Sequence, residues 1–337
     1  MKISSERSFD FTYENYPVNT DKLKSPYLLE EVGEKEFTYG KSYMKQWHFD
    51  GIRILHTRHT FADHFTFRNN NDCDMVCLEF NLKGRYNIFH HGNTYQVHNH
   101  QHNIIYTPGT HNYFENTDLE TETFKIEIHP SLFMDITIES NDILRDFVTE
   151  MESRHPVVLS HVSGVIDVQL LNAINEIIYC RFSGGIKKTF LLSKCLEILV
   201  LQAESFARLN NSGYQYTKKK DDLERFEFVR KYLIDHMDMP PSLRELAIKS
   251  GINEYKLKRG FKEAYNTTVF GYLSDYRLNI AKQRLESNWQ SIAEIAYDLG
   301  YSSPQHFSKA FKENSVIRQK LSGNIRLLLV YFLILII

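Results

Sequence analysis

Two stretches of this chain carry the same punctuation, displaced by about fifty residues, and that repeat restricts the fold more than any other feature. In the first, Pro240-Pro241 end a preceding helix and Ser242 follows with Glu245 three residues later, the pattern of a capping box. Leu243, Leu246 and Ala247 then fall on one inward face, and Gly251 suits a left-handed turn that reverses the chain. Asn253 caps a second helix with Leu257 and Phe261 inward and Glu254, Tyr255, Lys258 and Arg259 outward. In the second stretch Ser291 and Glu294 repeat the cap, Ala296 the small inward residue, and Leu299-Gly300-Tyr301 the turn. Ser303 caps a helix that has Pro304 at its first position, with Phe307 and Phe311 inward and Gln305, His306 and Lys309 outward. Ala247 and Ala296 are 49 residues apart, Phe261 and Phe311 50. The spacing predicts two helix-turn-helix units joined by one helix over Thr268 to Glu286, each presenting a second helix shaped for a DNA major groove. A plain helical bundle does not require two matched caps and turns.

On these residues, together with the run Thr268 to Leu273 and Tyr276-Arg277-Leu278, residues 222–314 resemble the DNA-binding domain of the AraC/XylS family of bacterial transcription regulators. Within it they are most similar to the branch of pyochelin-type siderophore regulators. The resemblance implies seven helices, two of them entering successive major-groove segments on one DNA face. It places Tyr255, Lys258 and Arg259 toward bases in the first unit and Gln305, His306 and Lys309 in the second. It also implies an activator that contacts RNA polymerase and suggests an iron complex as the small-molecule effector; the expected cytoplasmic location rests instead on the cysteines and the N-terminus. The residue types agree: Lys258 or Arg259 can donate to guanine O6 and N7, Gln305 can pair with adenine, and Tyr255 can pack on a thymine methyl. For each side chain taken singly, the alternative is an ordinary solvated surface position.

The resemblance stops at Asn314. The family continues with an aromatic, a glycine and a proline. This chain continues Ser315-Val316-Ile317 and ends in an apolar run from Leu327 to Ile337. We read residues 315–337 as an atypical tail translated out of frame from near codon 315; a native tail that packs on the bundle is the alternative. Eleven apolar residues span roughly 16 Å, about half a bilayer core, so the tail is not expected to cross a membrane.

Charge supports a division of the chain. From Asp222 onward there are 17 Lys and Arg against 13 Asp and Glu, while the remainder has 23 against 29. The net charge of -2 excludes a uniformly basic coat protein but not one basic domain beside an acidic one. The aromatic share, 13%, suffices for at least one sizeable core. Cys73, Cys77, Cys180 and Cys195 form no CxxC pair, and the N-terminus has no apolar signal region, which points to a reduced compartment.

The expected fold is α+β in two domains. Residues 1–209 form a cupin-like β barrel with appended helices, serving as sensor and dimerisation domain. Residues 210–221 are a linker, and 222–314 the all-α tandem helix-turn-helix domain. Short strands with frequent turns up to about His129 carry the first expectation. Gly84 to Glu115, with the corner Pro108-Gly109-Thr110-His111, resembles the sensor barrel of the same family. A helix from about Lys187 to Leu209 has an apolar face too wide for a solvated helix, which reads either as core packing or as the interface of a homodimer. His90, His91, His98, His100, His102 and His111 are dense enough to consider a metal site. Histidines 98, 100 and 102 would share one face of a strand. The acidic ligand of catalytic cupins is missing, and no nucleophile elbow, P-loop or dinucleotide fingerprint occurs. The expectation is therefore a regulator with no catalytic residues, no metal and no cofactor, responding to a small-molecule effector. A cupin-type metal-binding enzyme with a DNA-binding appendage is the alternative.

Overall fold

Strand formers at alternate positions dominate the chain up to Ile128, and the computed structural model turns them into one extended sheet. It describes residues 11–12, 19–90, 93–140, 142–160, 163–210, 220–287 and 290–311. The chain divides into two units, Met1–Tyr214 and Gln215–Ile337.

The first unit begins with β1 (Phe11–Thr12) and the single turn α1 (Thr20–Leu23). Eight strands follow: β2 (Leu29–Phe37), β3 (Gly40–Phe49), β4 (Ile52–Phe61), β5 (Thr66–Lys83), β6 (Tyr86–His90), β7 (Asn93–Val97), β8 (Gln101–Asn116) and β9 (Glu120–Ile128). Then come α2 (Pro130–Thr137), α3 (Asp142–Met151), β10 (Val157–Val158), β11 (Gly164–Val165), α4 (Val168–Ile178) and α5 (Gly184–Asn210). The strand order is β2-β3-β4-β9-β5-β8-β6-β7, with β1 added to β5, and β10 and β11 added to β8. Among the described residues no ladder joins β2 to β7, so the expected cupin-like barrel is not closed. The outer edge of β2 carries exposed Glu30, Glu34, Lys35 and Glu36, and charge on an edge strand resists further pairing.

Residues paired directly across strands share a face. One row runs Trp47, Ile54, Ile126, Leu78 and Ile104, all fully buried. It belongs to an apolar core that includes Phe133 of α2, Phe147 of α3, Leu170 and Ile174 of α4 and Leu191 of α5. The wide apolar set of α5 divides: Leu191, Cys195, Leu199, Ala203 and Phe206 are buried, while Leu196 and Val200 remain exposed. Helix α4 begins at Val168 because Asp167 caps it by accepting from Leu170 N at 3.0 Å, while Gly164–Val165 pairs with β8.

The second unit is helical throughout its described residues: α6 (Lys220–Asp235), α7 (Leu243–Ser250), α8 (Glu254–Tyr265), α9 (Val269–Ser287), α10 (Ile292–Asp298) and α11 (residues 304–311). Phe226, Val229 and Leu233 of α6 are fully buried, as are Leu246, Leu257 and Phe261 on α7 and α8. Residues 211–219 and 312–337 lie outside the described residues. The linker and tail expectations therefore fall there, except that α5 reaches Asn210 and α6 begins at Lys220.

Candidate nucleic-acid interface

Each helix pair of the second unit is built from the same local bonds. At the start of α7, Glu245 N donates to Ser242 Oγ at 3.2 Å and Ser242 N donates to Glu245 Oε2 at 2.7 Å. At the start of α10, Glu294 N and Ser291 N make the matching pair at 3.2 and 2.7 Å. These reciprocal bonds satisfy two otherwise free donors of each helix and hold both carboxyls below the usual carboxylate range. At the turns, Gly251 and Gly300 adopt φ of 67° and 74°, a conformation that L side chains rarely take. Ile252 N then donates to Ala247 O at 3.1 Å and Tyr301 N to Ala296 O at 2.9 Å, so the two turns close on equivalent alanines.

The turns deliver α8 and α11 with one face inward and one outward. Leu257 and Phe261 are buried on α8, and Phe307 is buried on α11 with Phe311 half-buried beside it, ring centroids 5.6 Å apart. The six outward residues named from the sequence, Tyr255, Lys258, Arg259, Gln305, His306 and Lys309, are all exposed. On α8 they are tied to their own helix. The Arg259 guanidinium lies 5.8 Å from the Tyr255 ring centroid, and Lys258 Nζ is 3.9 Å from Glu254. Lys256 reaches Asp222 on α6 at 2.7 Å. On α11, Ser303 Oγ accepts from His306 N at 3.2 Å, the expected cap, and the His306 ring Nδ1 shares a hydrogen bond with Ser302 Oγ at 2.7 Å. Exposure and the net basic charge on α8 suit contacts to phosphates and base edges.

Helix α8 is seated closely. A Cβ on Gly260 would come within 2.0 Å of the Phe226 ring, so only glycine permits α8 and α6 to approach this far. Arg225 of α6 donates from Nη1 to Gly251 O at 2.7 Å and Ser250 O at 3.0 Å, bracing the turn.

The histidine cluster of the first unit does not assemble as the strand spacing suggested. Residues 98–100 form a turn with His100 at φ 55°, which breaks the alternation, and β8 begins at Gln101. His102 is buried against α5, with Gln202 Nε2 3.2 Å from its Nδ1 and Ser205 Oγ 3.3 Å from its Nε2. Burial pushes its pKa down to about 3. The side chains of His90, His91 and His111 lie outside the described residues. Among the described residues no three His, Cys, Asp or Glu side chains are grouped as a metal would need.

The sequence reading missed a different feature, the second face of the sheet. Its rows run His48, Arg53, Glu127, Cys77 and Gln46, Leu55, Lys125, Glu79. Arg53, 2% exposed, donates to Glu127 Oε2 and Gln46 Oε1, each at 3.0 Å, and Lys125 pairs with Glu79 at 2.9 Å. Both ring nitrogens of buried His48 are without a hydrogen-bond partner, and burial with the nearby Arg53 charge lowers its pKa to about 4, so it is neutral. At one end Phe61, Phe67 and Tyr39 form a buried aromatic cluster. The available signal was the alternation in Phe124 to His129, but alternation alone does not say whether the polar side meets water or the interior of a curled sheet.

Comparison with known proteins reports on both units. Residues 40–215 match the family described as the regulatory protein PchR N-terminal domain, and residues 246–315 match the helix-turn-helix domain family. The regulatory protein PchR of Pseudomonas aeruginosa is 33% identical over 111 residues, which cover 33% of this chain and 38% of that protein. The regulatory protein SoxS of Escherichia coli K12 is 35% identical over 81 residues, covering 24% of this chain and 76% of its own. The aligned part of the chain thus spans well under half the length of PchR. Among solved structures, an apo ToxT variant from Vibrio cholerae aligns over 77% of this chain and 93% of its own, at 12% identity and a TM-score of 0.31. Among the described residues no helix is long and apolar enough to cross a membrane.

Proposed function

The chain belongs to the AraC family of transcription regulators, in the branch related to PchR, and from that premise we propose that it is a sequence-specific regulator of transcription that binds duplex DNA through α8 and α11 and responds to a small-molecule effector. The observation that carries the DNA reading is the matched pair of caps, left-handed turns and inward aromatics, which leaves two short helices with exposed hydrogen-bonding faces. Tyr255, Lys258 and Arg259 read one major-groove segment. Gln305, His306 and Lys309 read the next.

The first unit is the sensor. Buried, paired charges stabilise a fold less than apolar groups of the same volume, so a sheet face carrying buried Arg53, Glu79 and neutral His48 beside half-buried Glu127 and Lys125 is better suited to receiving a polar ligand than to holding the unit together. On this reading the effector is an iron complex, as the siderophore branch suggests, Leu196 and Val200 of α5 serve a homodimer, and the protein activates by contacting RNA polymerase in the cytoplasm.

The test is selection of bound duplexes from a random library by the purified full chain. The expected result is a pair of sequence blocks about one helical turn apart, and affinity that falls with salt as log K against log salt with a slope of about -0.9 per phosphate contact. Recovery of unselected sequence, or binding indifferent to salt, overturns the reading.

A further inference from the structure

Helix α9 is the connection between the two helix-turn-helix units, and one residue on its inward side is out of place by chemistry. Val269, Leu273 and Ala281 are buried apolar residues in the same row, yet Arg277 stands among them. Its guanidinium makes three contacts with two different segments. Nε donates to Met237 O at 3.0 Å, and Nη2 donates to the same carbonyl. That carbonyl lies just past the end of α6, where helix carbonyls lack partners and positive charge is favoured. The same guanidinium sits 5.5 Å from the centroid of Tyr301, in the turn of the second unit. Gly300 completes the junction: a Cβ there would be 2.5 Å from Asp238 O and 2.7 Å from Arg277 Nη2, so the turn is seated directly against both.

We propose that Arg277 is the positioning residue that sets the separation of α8 and α11, and through it the base-pair spacing that the protein accepts between its two DNA segments. Helix α6 carries Phe226, which meets Gly260 of α8 in the first helix-turn-helix, while Met237, just past its end, packs on the core around Phe307 of the second, so the carbonyl that Arg277 holds marks where the α6 segment passes from one to the other. Tyr301 belongs to the second, its ring 5.3 Å from that of Phe307 on α11. The guanidinium donates from two nitrogens to the Met237 carbonyl while its charge lies over the Tyr301 ring, and a lysine ammonium lacks that fixed fork. The inference rests on the DNA-binding reading. One inserted base pair moves the second segment by about 3.4 Å and rotates it by roughly 34°. A fixed pair of helices cannot follow both changes, whereas a loosened pair follows them in part.

The experiment uses the full chain and the duplex selected by the wild-type protein, with single base pairs inserted or deleted between the two blocks. For the wild type each change is expected to weaken binding about 10- to 100-fold, the weight of one or more lost base contacts. For Arg277→Ala, shown folded by circular dichroism, the same changes are expected to cost less than about threefold relative to its own best spacing, and Arg277→Lys to fall between the two. Uniformly weaker binding by Arg277→Ala with the wild-type spacing penalty indicates a merely structural role and overturns the inference while leaving the DNA reading intact. A wild-type protein that selects no paired blocks overturns both. If Arg277→Ala does not fold, Tyr301→Leu, which removes only the ring under the guanidinium, carries the same expectation and the same refutation.

Discussion

Replacing Gly260 by alanine isolates the contact that seats α8, the helix carrying Tyr255, Lys258 and Arg259. The ideal Cβ falls 2.0, 2.6 and 2.8 Å from three carbons of the Phe226 ring. Non-bonded carbons settle at about 3.5–4.0 Å, so the ring and helix must part by roughly 1.5 Å. Phe226 is fully buried, so its ring has no open solvent to swing into. Overpacking of this kind costs about 1–3 kcal/mol, and three clashing ring atoms argue for the upper end. Against this, alanine in a helix interior gains about 1 kcal/mol over glycine. The expected net loss is about 2 kcal/mol, or roughly 8 °C in the melting of a unit of this size. Differential scanning calorimetry reads it directly, with Gly185→Ala as control, since a Cβ there meets nothing within 4 Å. The control is expected to melt at or slightly above the wild-type temperature. Phe226→Leu in the Gly260→Ala background is expected to recover at least about 1 kcal/mol, because it shortens the side chain that clashes. A Gly260→Ala protein that melts with the wild type, or a Phe226→Leu change that brings no recovery, refutes the close seating of α8 on α6.

Three further outcomes are expected. Arg259→Ala costs about 1–3 kcal/mol of DNA affinity and relaxes the preference at one base position in a repeated selection; an equal loss on every sequence means that Arg259 touches phosphate instead. Ser242→Ala and Ser291→Ala each destabilise the second unit by about 1 kcal/mol in urea unfolding, and Ser→Gly at the same positions by only a few tenths; equal effects of Ala and Gly contradict the capping bonds. His102 has a folded pKa of about 3 against an ordinary 6.5, so between those values the unfolded chain binds a proton that the folded chain refuses. Its contribution is therefore complete above pH 6.5 and is lost as pH falls toward 3, at up to about 1.4 kcal/mol per pH unit. His102→Gln removes that share of the slope of urea stability between pH 6.5 and 4.5, and an unchanged slope rules it out.

The second unit was legible in the sequence because its information is local. Ser242 with Glu245, Gly251, and Asn253 each specify a bond or a dihedral within a few residues, and the structure realises them at those positions. Arg277 and Gly260 were present in the same stretch and said nothing, since their partners, Met237, Tyr301 and Phe226, lie 24 to 40 residues away and are brought near only by packing. The first unit shows the same limit more strongly. Short strands up to about His129 were readable from composition, but β2 was not singled out, because Glu, Lys and Gly along Leu29–Phe37 dilute the strand signal. The histidines at 98, 100 and 102 misled for a physical reason: shared-face spacing holds only while the backbone stays extended, and the positive φ of His100 ends that condition.

The two helices proposed to read DNA are not chemically equivalent, although their scaffolds are. Helix α8 bears Lys256, Lys258, Arg259 and Lys262, while residues 304–311 bear Lys309 beside neutral Gln305 and an imidazole at His306. Lys256 is committed to Asp222 and Lys258 lies near Glu254, so part of the charge on α8 organises the helix itself. Even so, the larger share of cations able to displace counterions from DNA sits on the first helix, and with it the larger share of the salt dependence of binding. On the proposed DNA reading, Gln305 and His306 would discriminate by hydrogen-bond pattern, which works only at short range and fixed orientation. A charged helix tolerates small errors of placement and a hydrogen-bonding one does not. The second helix therefore depends on its seat more than the first, which is where Arg277, Gly300 and Tyr301 are concentrated.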